Sequence, residues 1–241
     1  MKKSVPFLSI VIPVFNEQKR IKNLKKVISY LSKQKYKWEV IVVNDGSNDK
    51  TIRIINTLKK KLKLKLVSYS ENRGKGAAIK EGMLIATGKY RLFLDIDLST
   101  PIEEIYKLIP FLKKYDIVIG SRKMKGSNIL IRQSIAREFL GKMFTRVSQK
   151  LLQMKVSDFT CGFKCFSKKA AEEIFAKQTV HRWGFDSEIL YIGKTKRYSI
   201  KEVPVLWKND PRTRVKFPQD IVHSLTELFK IRLNSYRGLY K

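Results

Sequence analysis

Two carboxylates one residue apart, Asp95-Ile96-Asp97, close the apolar run Tyr90-Arg91-Leu92-Phe93-Leu94. Hard divalent cations take oxygen ligands, and such a pair at a strand end can bridge one to a diphosphate whose departure would otherwise build up unfavourable charge. Two earlier apolar runs also end in polar residues: Pro13-Val14-Phe15-Asn16-Glu17, and Val43-Asn44-Asp45-Gly46-Ser47-Asn48-Asp49-Lys50-Thr51. A nucleotide base can lie across the edge they form. Asp45 can accept the imide N–H of uracil or the N–H pair of guanine, so it does not choose between them. In Asn72-Arg73-Gly74-Lys75-Gly76-Ala77 the glycines permit close backbone approach, and the helix start that follows attracts an anion. We expect a diphosphate to rest on Gly74 and Lys75. The loop has neither G-x-G-x-x-G nor Walker spacing, which argues against dinucleotides and ATP.

The elements that must position these residues alternate. Short β-branched runs predict strands at 8–15, 38–44, 64–68, 90–95 and 116–121, and amphipathic stretches predict helices at 18–32, 48–61, 75–86 and 102–114. This is the pattern of an α/β, Rossmann-like, mostly parallel sheet with helices on both faces, which binds ligands beyond the carboxyl ends of its strands. From 123 to 128 the chain turns basic and flexible. A basic amphipathic helix is predicted at 134–154, with Ile135, Phe139, Leu140, Met143, Phe144, Val147 and Leu151 on one face. A strand at 162–166, helices near 168–175 and 185–194, a strand at 199–207 and a C-terminal amphipathic helix near 219–235 complete the reading. We expect one domain over 1–241, in which 1–122 binds the donor, 123–215 binds the acceptor and 216–241 forms the C-terminal helix.

Composition narrows the partners. Of 241 residues, 51 are Lys or Arg and 21 are Asp or Glu, a formal charge of +30 that implies a polyanionic partner or surface. The longest apolar run, 5–15, is interrupted by Pro6, Ser9 and Pro13 and falls short of the roughly 20 residues a membrane-spanning helix needs. It reads as a strand and not as a signal peptide. The expectation is a cytoplasmic enzyme, peripheral on the cytoplasmic face of a membrane. The two cysteines, Cys161 and Cys165, lie about 13 Å apart if the segment between them is extended, beyond disulfide reach. His181 and His223 are isolated, so a structural zinc is not expected.

The motifs together, Pro-Val-Phe-Asn-Glu, Val-Asn-Asp-Gly-Ser-x-Asp-x-Thr, Asn-Arg-Gly-Lys-Gly and Asp-x-Asp, resemble the inverting family 2 glycosyltransferases of the GT-A fold. The resemblance continues through Gly120-Ser121-Arg122, the 158–164 segment Asp-Phe-Thr-Cys-Gly-Phe-Lys and the 182–188 segment Arg-Trp-Gly-Phe-Asp-Ser-Glu. These are similar to the branch acting on polyprenyl phosphate, and Phe229-Lys230-Ile231-Arg232-Leu233 most resembles dolichyl-phosphate glucosyltransferases. The resemblance implies that Pro13, Phe15, Glu17 and Asp45 bind the nucleoside, while Asp95, Asp97 and Ser99 hold Mg²⁺ or Mn²⁺ on the diphosphate. It implies phosphate contacts for Arg122 and Arg132 and for Arg212 or Arg214. It also puts Asp158 near the reacting centre, as a base or as a positioning group.

The implied reaction takes a hexose from a nucleotide sugar, UDP-glucose favoured, to a lipid phosphate at an anionic membrane surface, with inversion. The lipid phosphate is largely dianionic near pH 7, with a second pKa of about 6, so its attack needs no strong base. Asp97, Asp158 and Arg122 are the expected catalytic groups. The basic helices at 134–154 and 219–240 are expected to meet the headgroups. Rival readings are GDP-mannose as donor, a saccharide or protein as acceptor, and a basic nucleic-acid-binding protein. For the last there is no zinc, RNP or helix-turn-helix signature, and no nucleic acid is expected.

Overall fold

The computed structural model describes residues 5–212 and 219–241. Its elements run β1 (Leu8–Val14), α1 (Leu24–Ser32), β2 (Trp38–Asp45), α2 (Thr51–Lys59), β3 (Lys65–Tyr69), α3 (Lys75–Ile85), β4 (Tyr90–Leu94), α4 (Ile105–Leu108) and β5 (Ile117–Ser121). There follow β6 (Asn128–Ile131), α5 (Ile135–Leu152), β7 (Phe163–Ser167), α6 (Lys168–Lys177), α7 (Phe185–Thr195), β8 (Ile200–Pro204), β9 (Leu206–Lys208) and α8 (Gln219–Tyr236). Seven strands form one sheet in the order β3-β2-β1-β4-β7-β5-β8. All its pairings are parallel except those of β7, which runs antiparallel between β4 and β5.

Successive residues of the central strands feed opposite faces. Leu8, Ile10, Ile12, Val40 and Val42 pack with α1 and α2, whereas Val11, Ile41 and Val43 pack with α3, α6 and α7. Because both faces are covered, the strands read as unbroken apolar runs and not as alternating ones. The mixed α/β sheet with helices on both faces and a C-terminal helix is the architecture expected.

The structure departs from the expected elements at several boundaries and in one region. The helix expected at 102–114 is a short α4 between 3-10 turns at Ile102–Glu104 and Ile109–Phe111. Pro110 supplies no N–H and crowds the preceding turn, so the α-helix cannot pass it. The helix expected from 48 starts at Thr51, because the Asp49 side chain takes the Thr51 N–H at 2.8 Å. The helix expected from 18 begins at Leu24, after a 3-10 turn at Ile21–Asn23. The strand expected at 199–207 is two strands, since the chain leaves β5 after Pro204 and β9 pairs in parallel with β6 in a separate two-stranded sheet. The strand β6 was not foreseen. The expected halves also share one sheet, because β7 and β8 from beyond residue 123 flank β5.

Candidate active site

Register brings the key loops together. Leu94 pairs with Phe163 and Val14 with Asn44, so the loops leaving β1, β2 and β4 and the loop entering β7 share one edge. The 95–97 turn is fastened by Leu98 N–H to Asp95 C=O at 3.1 Å, by Ser99 N–H to Asp97 Oδ1 at 2.8 Å, and by Asn23 Nδ2 to Ile96 C=O at 2.9 Å. Leu98 takes φ +54°, a sharp bend that turns the chain across the sheet edge. Ser99 also accepts Lys208 N–H through its carbonyl at 2.8 Å, tying β9 to this turn.

The Asp95 side chain is 34% exposed, and its Oδ1 receives the Lys75 ammonium at 2.7 Å. Its Oδ2 packs so closely on Gly162 that a Cβ there would sit 2.1 Å away. Burial, and then Asp95, push the Asp97 carboxyl above the usual carboxylate range, against the pull of Ser99, Lys75 and Arg20. Two carboxylates that strain against a shared charge form a site wanting a cation. Among the described residues no group of three or more His, Cys, Asp or Glu could hold a metal. The carboxylates standing together at this turn are the two of Asp95 and Asp97, fewer oxygens than a cation needs, so a cation here would take its other oxygens from a diphosphate and water. That donor set suits Mg²⁺ or Mn²⁺, which are commonly held by one or two carboxylates plus substrate phosphates.

Lys75 opens α3 with its Nζ 5.8 Å from the Trp183 ring centroid and 5.9 Å from that of Phe185. Burial opposes its charge, but Asp95 and Asp186 outweigh this and hold its pKa above that of an ordinary lysine. Gly74, at φ +105°, lies where a Cβ would be 2.5 Å from His181 C=O, so only glycine fits the loop against the 181–185 segment. The expected bed of free amides is largely used internally. Arg73 and Gly74 N–H donate to Asp45 at 2.8 and 2.9 Å, and Ala77 N–H donates to His181 C=O at 3.1 Å.

Asp45 is 2% exposed and also receives Asn72 Nδ2 at 2.8 Å. Its role here is to shape the 72–74 loop. Pro13 and Phe15 are half-buried at the same edge. Glu17 is committed to Arg20 by two bonds of 2.5 and 2.6 Å. Arg20 also lies 3.6 Å from Asp210, which pairs with Arg212 at 2.6 Å, so the 210–212 segment is tied to the Glu17–Arg20 pair.

Beyond β5, Asp158 is fully buried and held by Arg122 through Nε and an Nη, both at 2.7 Å. Burial works against the Asp158 anion, but Arg122 outweighs it and holds the carboxyl far below the usual range. The same pairing raises Arg122. Arg122 also donates to Thr160 Oγ1 at 2.8 Å and lies 5.4 Å from the Trp207 ring centroid. Ser157 and Asp158 N–H donate to Glu202 on β8, which anchors the loop. Arg132 is exposed just after β6, with no hydrogen bond or ion pair to these clusters among the described residues; Arg212 is exposed, and Arg214 lies outside the described residues.

Sequence reading assigned no role to Arg20, Gly162 or the buried Lys164–Asp186 pair. Lys164 is fully buried, donates to Cys161 C=O at 2.7 Å and to Asp186, and its partner's field reaches Lys75. No spacing pattern links these residues, which come from different elements. Cys161 and Cys165 are free, buried thiols, and burial pushes both above the ordinary thiol value.

Residues 9–175 match the family described as glycosyl transferase family 2. The chain belongs to that family. This transferase is 33% identical over 257 residues to the dolichyl-phosphate beta-glucosyltransferase of Saccharomyces cerevisiae, covering 98% of this chain and 77% of that protein. It is 30% identical over 250 residues to the enzyme of that name from Dictyostelium discoideum, covering 98% and 76%, and 33% identical over 216 residues to the human one, covering 83% and 67%. The fold resembles glucosyl-3-phosphoglycerate synthase of Mycobacterium tuberculosis crystallised with Mn²⁺, UDP-glucose and phosphoglyceric acid, at TM-score 0.67 and 20% identity, covering 97% of this chain and 80% of that one. A crystal of that synthase with Mg²⁺ and UDP superposes at TM-score 0.65 and 21% identity, with the same coverage. These two likenesses carry the GT-A fold. Among the described residues no helix is long and apolar enough to cross a membrane.

Proposed function

We propose that this family 2 transferase moves glucose from UDP-glucose to a polyprenyl phosphate such as dolichyl phosphate, inverting the anomeric carbon. The observation that carries the reading is the pairing at one sheet edge of a carboxylate turn, Asp95 and Asp97, with an arginine clamp, Arg122 on the buried Asp158. The first suits a leaving diphosphate and the second a phosphate nucleophile. The names of the relatives support the sugar and the acceptor. Asp45, buried and bonded to Asn72, Arg73 and Gly74, shapes the loop beside the nucleoside and does not choose between uracil and guanine.

In this reading residues 1–122 bind the donor and 123–215 the acceptor. Pro13 and Phe15 pack against the uracil, while Glu17 holds Arg20 at the nucleoside edge. Asp95 and Asp97, with Ser99 fixing Asp97, hold Mg²⁺ or Mn²⁺, which when bound offsets the charge that develops on the leaving diphosphate. Arg122, with Arg132 and Arg212 or Arg214, draws in the lipid phosphate. A phosphate oxygen then forms the new bond to the anomeric carbon as the bond to the diphosphate breaks, and the electron pair leaves on the β-phosphate oxygen. No proton has to be removed from a dianionic acceptor. Asp158, tied at both oxygens and held ionised, is a positioning residue that fixes the Arg122 fork and not a base.

The acceptor requires a membrane, and two helices supply a fitting face. Ile135, Phe139 and Met143 on α5 and Val222, Phe229, Leu233 and Tyr236 on α8 are exposed, among them Ile135 at 88% and Tyr236 at 87%. The helices pack together through Phe144, Leu152, Leu228 and Ile231. Exposed Lys142, Arg146, Lys150, Lys230 and Arg237 flank the apolar residues, a combination that suits anionic headgroups on the cytoplasmic face of a bilayer. The test is a panel of UDP-glucose, UDP-GlcNAc, UDP-galactose and GDP-mannose with a polyprenyl phosphate and Mg²⁺ or Mn²⁺. UDP-glucose is expected to transfer fastest; faster transfer from GDP-mannose would overturn the donor assignment.

A further inference from the structure

We infer that Lys75 is an exchangeable counterion of the metal site: it fills the cation position at Asp95 until a diphosphate takes it away, so that metal and nucleotide each strengthen the binding of the other. The inference rests on the proposed metal role of Asp95 and Asp97 and adds the order in which that site fills.

Three contacts lead to it. The Lys75 ammonium is bonded to Asp95 Oδ1 at 2.7 Å. A Cβ built on Gly162 would meet Asp95 Oδ2 at 2.1 Å and Oδ1 only at 3.2 Å, so the Gly162 backbone crowds the Oδ2 side and favours approach of a metal through Oδ1. A metal ion on a carboxylate oxygen at roughly 2.1 Å and an ammonium on the same oxygen would stand within about 5 Å of each other, which two cations oppose strongly in a partly dry site. Lys75 therefore weakens the binding of metal alone.

The third contact makes the exchange cheap. Already in its Asp95-bonded position the ammonium lies 5.8 and 5.9 Å from the Trp183 and Phe185 ring centroids and within the field of Asp186, so these groups are at hand to hold it once Asp95 is given up. It does not have to return to water. A diphosphate arriving beside α3 accepts the Lys75 hydrogens and brings the negative charge that a metal needs, leaving Oδ1 open. Each ligand thus raises the affinity of the other by the same factor, as linkage requires.

The experiment measures Mn²⁺ binding to the full chain by the loss of the free-ion electron paramagnetic resonance signal, without any sugar and independently of turnover. Wild type is expected to bind Mn²⁺ weakly alone and at least ~10-fold more tightly with UDP, the scale set by removing a like charge about 5 Å from the metal. In Lys75→Met, Mn²⁺ alone should bind at least ~10-fold more tightly than to wild type, and the gain from UDP should shrink. Lys75→Arg, which keeps the charge, should behave as wild type, and melting curves of both variants show that folded protein is being titrated. Equal Mn²⁺ affinity of wild type and Lys75→Met without nucleotide, when UDP still tightens wild type, overturns the exchange and leaves the metal site standing. Wild type that binds no Mn²⁺ even with UDP overturns both.

Discussion

Asp158 is the residue whose chemistry the structure changes most. The family resemblance, which implies a place near the reacting centre for this residue, admitted a base, but both its oxygens are held by Arg122 and its acidity is strengthened, the opposite of what a base near neutral pH requires. Asp158→Asn should lower transfer by ~10²-fold or more while leaving the shape of the pH–rate profile unchanged; loss of an acid limb would restore the base. Because its folded pKa is depressed, Asp158 contributes stability that is present above the unfolded value near 4 and lost as pH falls through the folded one. Breaking the buried pair from one side costs roughly 3–5 kcal/mol, so the variant should also melt lower. Gly162 offers a second residue-level test: Gly162→Ala puts a methyl into Asp95 and should weaken Mn²⁺·UDP binding by calorimetry by roughly tenfold or more, whereas unchanged affinity would mean Asp95 is not a ligand.

At the scale of elements, the outward faces of α5 and α8 carry the membrane reading. Burying one large apolar side chain is worth about 1.5–3 kcal/mol, so Phe139→Glu with Phe229→Glu should cut binding to anionic vesicles by at least ~10-fold without lowering the melting temperature, since both side chains are more than 60% exposed. Unchanged sedimentation with vesicles would place the membrane contact elsewhere. The apolar periodicity of α5 was legible in the sequence, but its split was not. Phe144 and Leu152 turn inward onto α8, whereas Ile135 and Phe139 are left outside, and only the position of α8 decides which is which. Likewise β1, β2 and β4 were legible because each is a continuous apolar run ending in polar residues. The strand β6 was not, because its residues are all exposed and it exists only by pairing with β9. Of the site, Asp95, Asp97 and Lys75 could be found from motif and position, while Arg20, Gly162 and Asp186 depend on contacts between distant segments.

Over the whole molecule a charge of +30 repels itself, and two effects should be separable. Raising salt from low ionic strength should raise the melting temperature by screening that repulsion, while releasing the protein from anionic vesicles. A melting temperature that falls with salt would mean that attractive pairs dominate instead. Acid should act through a few carboxylates. Burial opposes the Glu39 anion, yet bonds from Lys65, Ser9 and Thr87 bring its pKa to about 2, so its stabilisation persists down to the unfolded value near 4.5 and disappears towards pH 2. Asp97 has the opposite sign. Raised by burial and Asp95, its folded carboxyl costs stability once ionised, and that cost is absent at a pH below its unfolded value.

That sign sharpens the most direct test of the account, transfer from UDP-glucose to polyprenyl phosphate by Asp97→Asn. The substitution keeps size and one oxygen and removes only the charge. Transfer should fall by at least ~10²-fold, the scale of losing a preorganised charge-stabilising group. Without ligands the variant should melt at or above wild type, and the added stability that metal with UDP gives wild type should vanish. A well-folded Asp97→Asn protein that transfers glucose at a near-normal rate would contradict the metal-assisted mechanism.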